Sequence, residues 1–506
     1  MLPYPQLDPH SEDKAKNESK IPMSSNLNFV TRAARFLVAY THYVQRNTKA
    51  IEAKRAASFE LGIAVTRFWM LHFALSCLAL FGICDAQDPD RLDPGSGEKR
   101  RGAGAVLLPA PSKSTLRIAT FNVALNRKKA GELANDLAKG DDQARRIAAI
   151  VQCVAPDILL VNELDYDETT AQLFLDRYLR VSQPESRAPV LVQTDANLPD
   201  RDLRYVYTGP VNTGVDSGLD LNNNGRIHDP DDAWGYGAFP GQYGMAVYSR
   251  FPIVSEEVRT FQKFRWSAMP GALRPKLPSN AKKPESSVLD SDREETWFHS
   301  DAVWEELRLS SKSHWDIPIE IRGSRLHILA SHPTPPVFDG AEDRNGCRNH
   351  DEIRLLRDYI SDESTGAYLV DDAGTKGPIP SGSHFVIVGD LNSDPMDGDG
   401  RSEAIRSLID HPNIAKYEVP ASRGAVDAAE KSAGANAKHR GNPAHDTGDF
   451  NDKNPGNLRI DFVLPSANCK VIASGVFWPS ASESATANEL TTASDHHLVW
   501  VDIELQ

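Results

Sequence analysis

Cysteine is scarce in this chain: there are five in 506 residues, and two of them, Cys77 and Cys84, fall in an N-terminal segment that reads as a leader. The other three, Cys153, Cys347 and Cys469, stand too far apart for a zinc-ligand spacing and admit at most one disulfide. They read as core residues, or as one bridge plus a free thiol. Positive charge is also short. Fifty-six Lys and Arg against 70 Asp and Glu leave a formal charge of −14. That excludes a protein whose whole surface attracts polyanions, because non-specific nucleic-acid affinity comes largely from Lys and Arg neutralising phosphates. A local basic groove stays open. What is present is a globular composition, 40% hydrophobic and 25% charged, with material for one large core or two smaller ones.

One extended apolar run stands out, Met70 to Ile83 (MLHFALSCLALFGI), ending at Cys84-Asp85-Ala86 as a signal-peptide cleavage site would. The run is too short to span a bilayer comfortably. Sixty-nine residues precede it, more than a signal peptide carries, so the expectation is that Met70 is the true start and that the product is secreted or periplasmic. The other reading is a membrane anchor, the only membrane contact the sequence suggests, or a buried helix. Residues 1–86 hold ten Lys/Arg and seven Asp/Glu, so the remainder carries −17. The acidity belongs to that remainder.

Residues 87–115 are rich in Pro, Gly and charge and read as a linker; a domain is expected from 116 to 506. Leu116 to Val123 alternates as a strand does. Asp141 to Cys153 has helical spacing that Ala155-Pro156-Asp157 breaks, and Ile158 to Val161 reads as a buried strand. Strand, helix, strand suggests an α/β unit. Further strands are expected at Gly244–Tyr248, Ile317–Ile321, Leu326–Ser331, His384–Gly389, Leu458–Leu464 and Leu498–Ile503, and a helix at Asn349–Ile360. Two polar stretches, 265–300 and 421–456, read as lids or disordered loops.

Polar residues cluster where these strands are expected to end at their C-termini, the edge at which open α/β sheets bind ligands. They are Asn122 in TFNV, Glu163 in NELD, His332 in SHP, Asp390 and Asn392 in GDLNSDP, Asp461 in RIDFV, and Asp495 and His496 in SDHH. Each alone is as well explained by a cap or turn. In this order, from Leu116 to Leu505, they resemble the endonuclease/exonuclease/phosphatase superfamily, which includes deoxyribonuclease I. That resemblance implies a four-layer sandwich, two mixed β-sheets face to face with helices outside, and divalent-metal-dependent hydrolysis of phosphoester bonds.

It further implies that Asn122, Glu163 and Asp495 lie at the metal. Oxygen ligands without Cys and with few His favour Mg²⁺ or Mn²⁺ over zinc. By resemblance Asp390 orients or deprotonates the attacking water and Asn392 holds it or a phosphate oxygen. His332 and His496 would donate to non-bridging oxygens as charge builds. Asp461 would fix the tautomer of His496 and raise its basicity. Asp390 and Asn392, two apart, share a face if the strand extends that far. His497 should point to the opposite face from His496.

Asp220, Asn222 and Asn224, followed by Gly225, with Arg226 at position 7 and Asp231 at position 12, follow a calcium-loop spacing without flanking helices. An Asx-rich turn explains it equally well. The aromatic, glycine-rich segment Trp234–Gly244 reads as a cleft wall or as a packed loop, and Arg344, Asn345 and Arg348 as anion ligands or solvated charges. An extracellular nuclease or phosphodiesterase is the favoured activity, so the expected partner is a phosphoester substrate, nucleic acid among the candidates; no stable protein partner is implied. The alternatives are a small-molecule or inositol-phosphate phosphatase, a sphingomyelinase-like phospholipase, or a non-catalytic binding module of the same fold.

Overall fold

The computed structural model describes residues 114–184, 202–279, 288–290 and 295–506. The expected leader with its apolar run, Cys77 and Cys84, and the linker up to residue 113 lie outside the described residues. Among the described ones, no helix is long and apolar enough to cross a membrane.

The strands are, in chain order, β1 (Leu116–Leu125), β2 (Ile158–Leu164), β3 (Tyr205–Thr208), β4 (Met245–Ser249), β5 (Arg259–Thr260), β6 (Lys276–Leu277), β7 (Val288–Asp290), β8 (Glu295–Trp297), β9 (His314–Ile321), β10 (Ser324–Ser331), β11 (His384–Asp390), β12 (Asp461–Pro465), β13 (Cys469–Val476) and β14 (Val499–Leu505). One sheet runs β13-β14-β1-β2-β4-β3 and a second β12-β11-β10-β9-β5, while β6, β8 and β7 form a small third. Both large sheets are mixed. β1 is parallel to β2, β10 is parallel to β11, and the neighbouring pairs β1–β14, β2–β4, β9–β10 and β11–β12 are antiparallel.

The alternation along each strand decides the layers. In β1, Leu116 and Ile118 enter an apolar cluster with Ile317, Ile328, Val386 and Val388 of the other sheet. The residues of opposite parity, Ala119, Phe121 and Val123, pack instead under the helix α2 (Asp142–Val154), against Ile147 and Ile150. The second sheet does the same: Ile328 faces the first sheet, whereas Leu329 and Ile387 pack with Ile353 and Leu356 of α3 (Arg344–Tyr359) and Ile405 and Leu408 of α4 (Ser402–Ile409). Helix, sheet, sheet, helix is the four-layer α/β sandwich expected from the motifs. The shorter helix α1 (Glu132–Lys139) joins the first helical layer through Leu133 and Leu137.

Helix α2 starts where the Asp141 side chain accepts from Ala144 N–H, and it stops ahead of Pro156. Helix α3 begins five residues earlier than its apolar spacing suggests. Its inner face buries Asn349, Asp351 and Glu352, which hide the periodicity. The 421–456 stretch is not a bare loop: it contains α5 (Arg423–Ser432), capped by the Ser422 side chain on Ala425 N–H. The 265–300 stretch supplies the strands of the small sheet. Cys153, Cys347 and Cys469 are buried free thiols, so the core reading of the three holds and the bridge does not.

Candidate active site

Asn122, His332, Asp390, Asn392, Asp461 and His496 meet where the two sheets touch. The expectation that all the predicted residues follow a strand's C-terminus needs correction: Asp461 opens β12, and Asp495 and His496 precede β14. These strands run antiparallel to β11 and β1, so their starts share an edge with the ends of their neighbours. Gly389 is required here, since a Cβ on it would stand 2.2 Å from the carbonyl oxygen of Ser331. Asn162 ties the sheets together, accepting from Asp390 N–H at 3.3 Å and donating to the Ser331 carbonyl at 3.4 Å.

Asp390 is the hub. Its Oδ2 accepts from Asn122 Nδ2 at 3.0 Å and lies 3.4 Å from His332 Nε2 and 3.7 Å from His496 Nε2, while Oδ1 accepts from Asn392 N–H at 2.9 Å. Burial works to raise its pKa, but His496, His332 and Asn122 outweigh burial and hold Asp390 below the usual carboxylate range. His496 Nδ1 faces Asp461 Oδ2 at 3.0 Å, and the same oxygen accepts from Thr447 Oγ1 at 2.7 Å. Burial would lower His496; Asp461 and Asp390 reverse that and raise it to about 10, an imidazolium at neutral pH. Burial likewise pushes Asp461 up. His332 is depressed by burial and by Lys312, and its Nδ1 has no partner among the described residues. His497 turns away, as expected, and stacks on Trp478 at 3.6 Å between ring centroids.

Asn392 does not share a strand face with Asp390. The strand stops at Asp390, Asn392 adopts a left-handed backbone (φ 51°), and its Nδ2 donates to the Pro333 carbonyl at 3.1 Å. Glu163 lies one residue beyond Asn162, the parallel partner of Asn122, and is itself left-handed (φ 59°). Non-glycine residues rarely adopt that conformation, and it concentrates at functional positions. Glu163 Oε2 accepts from Asn126 Nδ2 at 2.8 Å, and no hydrogen bond occupies Oε1 among the described residues. Asp495 is exposed, and no described hydrogen bond links its carboxylate to Glu163 or Asn122.

Two cations lie nearby, one of them singled out in the sequence and one not. Arg348, read as an anion ligand or a solvated charge, is half-buried and donates to the carbonyls of Leu309, Trp234, Arg308 and Ser310. Lys312, in the buried Ser310–Ser313 segment, is 6% exposed, and no described carboxylate lies within ion-pairing distance. Its ammonium feels Glu352, Glu163 and Asp390, yet burial dominates and lowers its pKa. No motif contains it; a lone Lys among serines carries no signal that separates it from a surface residue. Glu163 and Lys312 line a cavity of about 520 Å³ that extends past Trp266 and His299 to Tyr236 and Phe338.

The Asp220–Asp231 loop lies apart from Asp390 in the hydrogen-bond network. Asp220 accepts from Asn224 N–H and Gly225 N–H, Asn222 from Asn224 N–H, and Asn224 from Arg226 N–H. Arg226 pairs with Asp229 at 3.2 Å, and Asp231 is exposed.

A sequence profile described as the Endonuclease/Exonuclease/phosphatase family matches residues 119–496, three quarters of the chain. The chain belongs to the endonuclease/exonuclease/phosphatase family. A search of curated proteins gives no match. Similar solved structures include an endonuclease/exonuclease/phosphatase from Beutenbergia cavernae DSM 12333, 19% identical over 78% of this chain and 72% of that one, with TM-score 0.37. Sphingomyelinase C from Streptomyces griseocarneus is 16% identical over 77% and 99%, TM-score 0.37. The human Nocturnin catalytic domain with bound sulfate is 12% identical over 78% and 97%, TM-score 0.37.

Members of this family hydrolyse phosphoester bonds and commonly use divalent metals. Asp390, Asp461 and His496 form a buried group whose ligand-type atoms lie within 4.8 Å of one another. Those atoms serve each other, as a carboxylate–imidazole–carboxylate relay. Among the described residues Asp461 Oδ1 and Glu163 Oε1 have no hydrogen bond; Glu163 on β2 and Asn122 on the neighbouring strand β1 offer hard oxygen donors, suited to a hard cation.

Proposed function

We propose that this protein hydrolyses phosphoester bonds with a divalent metal, Mg²⁺ or Mn²⁺, held by Glu163 and Asn122 with Asp495 at the outer side. The observation that carries the reading is the Asp390 hub: one buried carboxylate oxygen faced by an amide and two imidazoles, at the junction of two sheets. A bound cation would neutralise charge on the phosphoryl oxygens. The protein's own groups do the rest.

Asp390, kept ionised, accepts a hydrogen bond from the attacking water and fixes its line of approach, with Asn392 beside it. As the water oxygen bonds to phosphorus and the ester P–O bond breaks, the water's proton passes to Asp390. His496, expected from the resemblance to face a non-bridging oxygen, is proposed here to give its imidazolium proton to the leaving oxygen instead, with Asp461 and Thr447 holding it in place. His332 donates through Nε2 to a non-bridging oxygen, where preorganised donors are worth most in a water-poor site.

Secretion or export to a periplasm is part of the same proposal and is supported by the apolar run at 70–83. The Asp220, Asn222, Asn224, Arg226 and Asp231 loop is proposed as a structural calcium loop without a chemical role. The test is turnover of a chromogenic phosphodiester, a phosphomonoester and plasmid DNA by residues 87–506 with Mg²⁺, Mn²⁺ or chelator, beside Glu163→Ala. Turnover abolished by chelator and by the substitution is the expected result. Turnover indifferent to both would overturn the metal assignment.

A further inference from the structure

The cavity beside Glu163 has features that phosphoester chemistry alone does not call for. Among the described residues the two most exposed large hydrophobic side chains are Phe338, 86% exposed, and Tyr236, 59% exposed, and both line this one cavity. Phe338 is also held left-handed, φ 66°, a conformation that costs an aromatic residue energy and that a packing role on the surface does not repay. Deeper in, His299 is 3% exposed and its Nδ1 has no hydrogen-bond partner among the described residues.

The charges of the lining point the same way. Arg348 is spent on four carbonyls and Arg344 is paired with Glu342, so among the described residues that line the cavity Lys312 is the cation left uncommitted, at the Glu163 end. A polymer is held by many phosphate contacts. One free cation among the described lining residues, beside one catalytic centre and continued by an aromatic rim and a buried polar edge, suits one phosphoryl group attached to one planar, hydrogen-bonding ring. A cavity of about 520 Å³ is of the size that encloses a small ligand.

We propose that this cavity is a substrate pocket for a small phosphoester of a planar heteroaromatic group, nucleotide in size, with Phe338 and Tyr236 stacking on the ring, His299 reading its edge and Lys312 holding the phosphoryl group. The proposal rests on the phosphoesterase reading above. It narrows that reading from nucleic acid to a mononucleotide-sized ester.

The test compares kcat and KM for thymidine 5′-(p-nitrophenyl phosphate), glycerophosphocholine, plasmid DNA and sphingomyelin vesicles, with calorimetry of thymidine 5′-monophosphate as a readout independent of turnover. The thymidine ester is expected to be preferred in kcat/KM. Phe338→Ala and Tyr236→Ala should each raise its KM about tenfold, the weight of one base–aromatic stack, with kcat little changed. The same substitutions should weaken thymidine 5′-monophosphate binding and leave glycerophosphocholine kinetics as they were. Lys312→Met should lower kcat/KM for every ester alike.

Faster cleavage of plasmid DNA or of vesicle sphingomyelin than of the thymidine ester, with KM indifferent to Phe338→Ala, would overturn the pocket and leave the phosphoesterase reading standing. If no ester turns over but thymidine 5′-monophosphate binds wild type and not Phe338→Ala, the pocket stands and the phosphoesterase reading falls. No binding and no preference would sink the pocket.

Discussion

Arg348, half-buried, and Lys312, buried, are cations on the walls of one cavity, and they are treated in opposite ways. Arg348 meets four carbonyl oxygens with its guanidinium and is part of the framework. Lys312 has no ion-pairing or hydrogen-bonding side-chain partner among the described residues and sits instead in the field of Glu352, Glu163 and Asp390. The same contrast separates Asp390, both of whose oxygens are engaged, from Glu163, whose Oε1 has no hydrogen bond among the described residues. Satisfied groups hold geometry; a buried group left unsatisfied costs stability that only a ligand returns.

The largest effect expected from breaking this pattern is at the hub. His496→Ala should lower kcat about 10²- to 10⁴-fold, as removal of a positioned proton donor does, while circular dichroism stays native. Second, Arg348→Met should destabilise the fold by about 3 kcal/mol or more in urea unfolding, since it strands several buried carbonyls at about 1–3 kcal/mol each. Lys312→Met should do the reverse and gain about 1 kcal/mol, because it replaces a buried, poorly compensated charge by an apolar chain of similar length. A loss of stability in Lys312→Met equal to that in Arg348→Met would erase the distinction between the two cations.

Third, the pH dependence sharpens it. The folded His496 pKa, about 10, lies above the ordinary imidazole value. The folded state therefore binds the proton more tightly, the contribution is fully present below about pH 6.5, and it is lost as pH rises through the folded value. The melting temperature of the metal-free protein should fall between pH 7 and 10, and the fall should be shallower in His496→Gln. The smallest effect is at the calcium loop: Asp220→Ala removes the carboxylate that accepts from two backbone N–H groups and should cost about 1 kcal/mol, within the range for a lost cap. It should leave kcat unchanged and abolish any rise in melting temperature with Ca²⁺.

Most of the framework was legible because it is written in period-2 alternation and in short polar motifs at strand termini. Leu116 and Ile118 against Phe121 and Val123 already separate two buried faces, and TFNV, GDLNSDP and SDHH mark residues that the structure brings to one edge. Local pattern failed where tertiary context overrides it. The buried Asn349, Asp351 and Glu352 masked the start of α3, and strand alternation could not foresee that the chain turns left-handed at Glu163 and Asn392. Thr447 and Lys312 reach the site across long sequence separations, from segments with no motif of their own, and Asn162 stands inside NELD but joins the site only through its contacts to the other sheet. Antiparallel pairing, invisible in a single strand, explains why Asp461 and His496 arrive from strand starts.

The central claim is that Asp461 and Asp390 keep His496 protonated so that it can donate to the leaving oxygen. The most direct measurement is the pH–rate profile of Asp461→Asn beside wild type, with a chromogenic phosphodiester and saturating Mg²⁺. The account predicts that the alkaline limb moves down by one pH unit or more in the variant. An alkaline limb that stays in place, with only a uniform drop in rate, would contradict it.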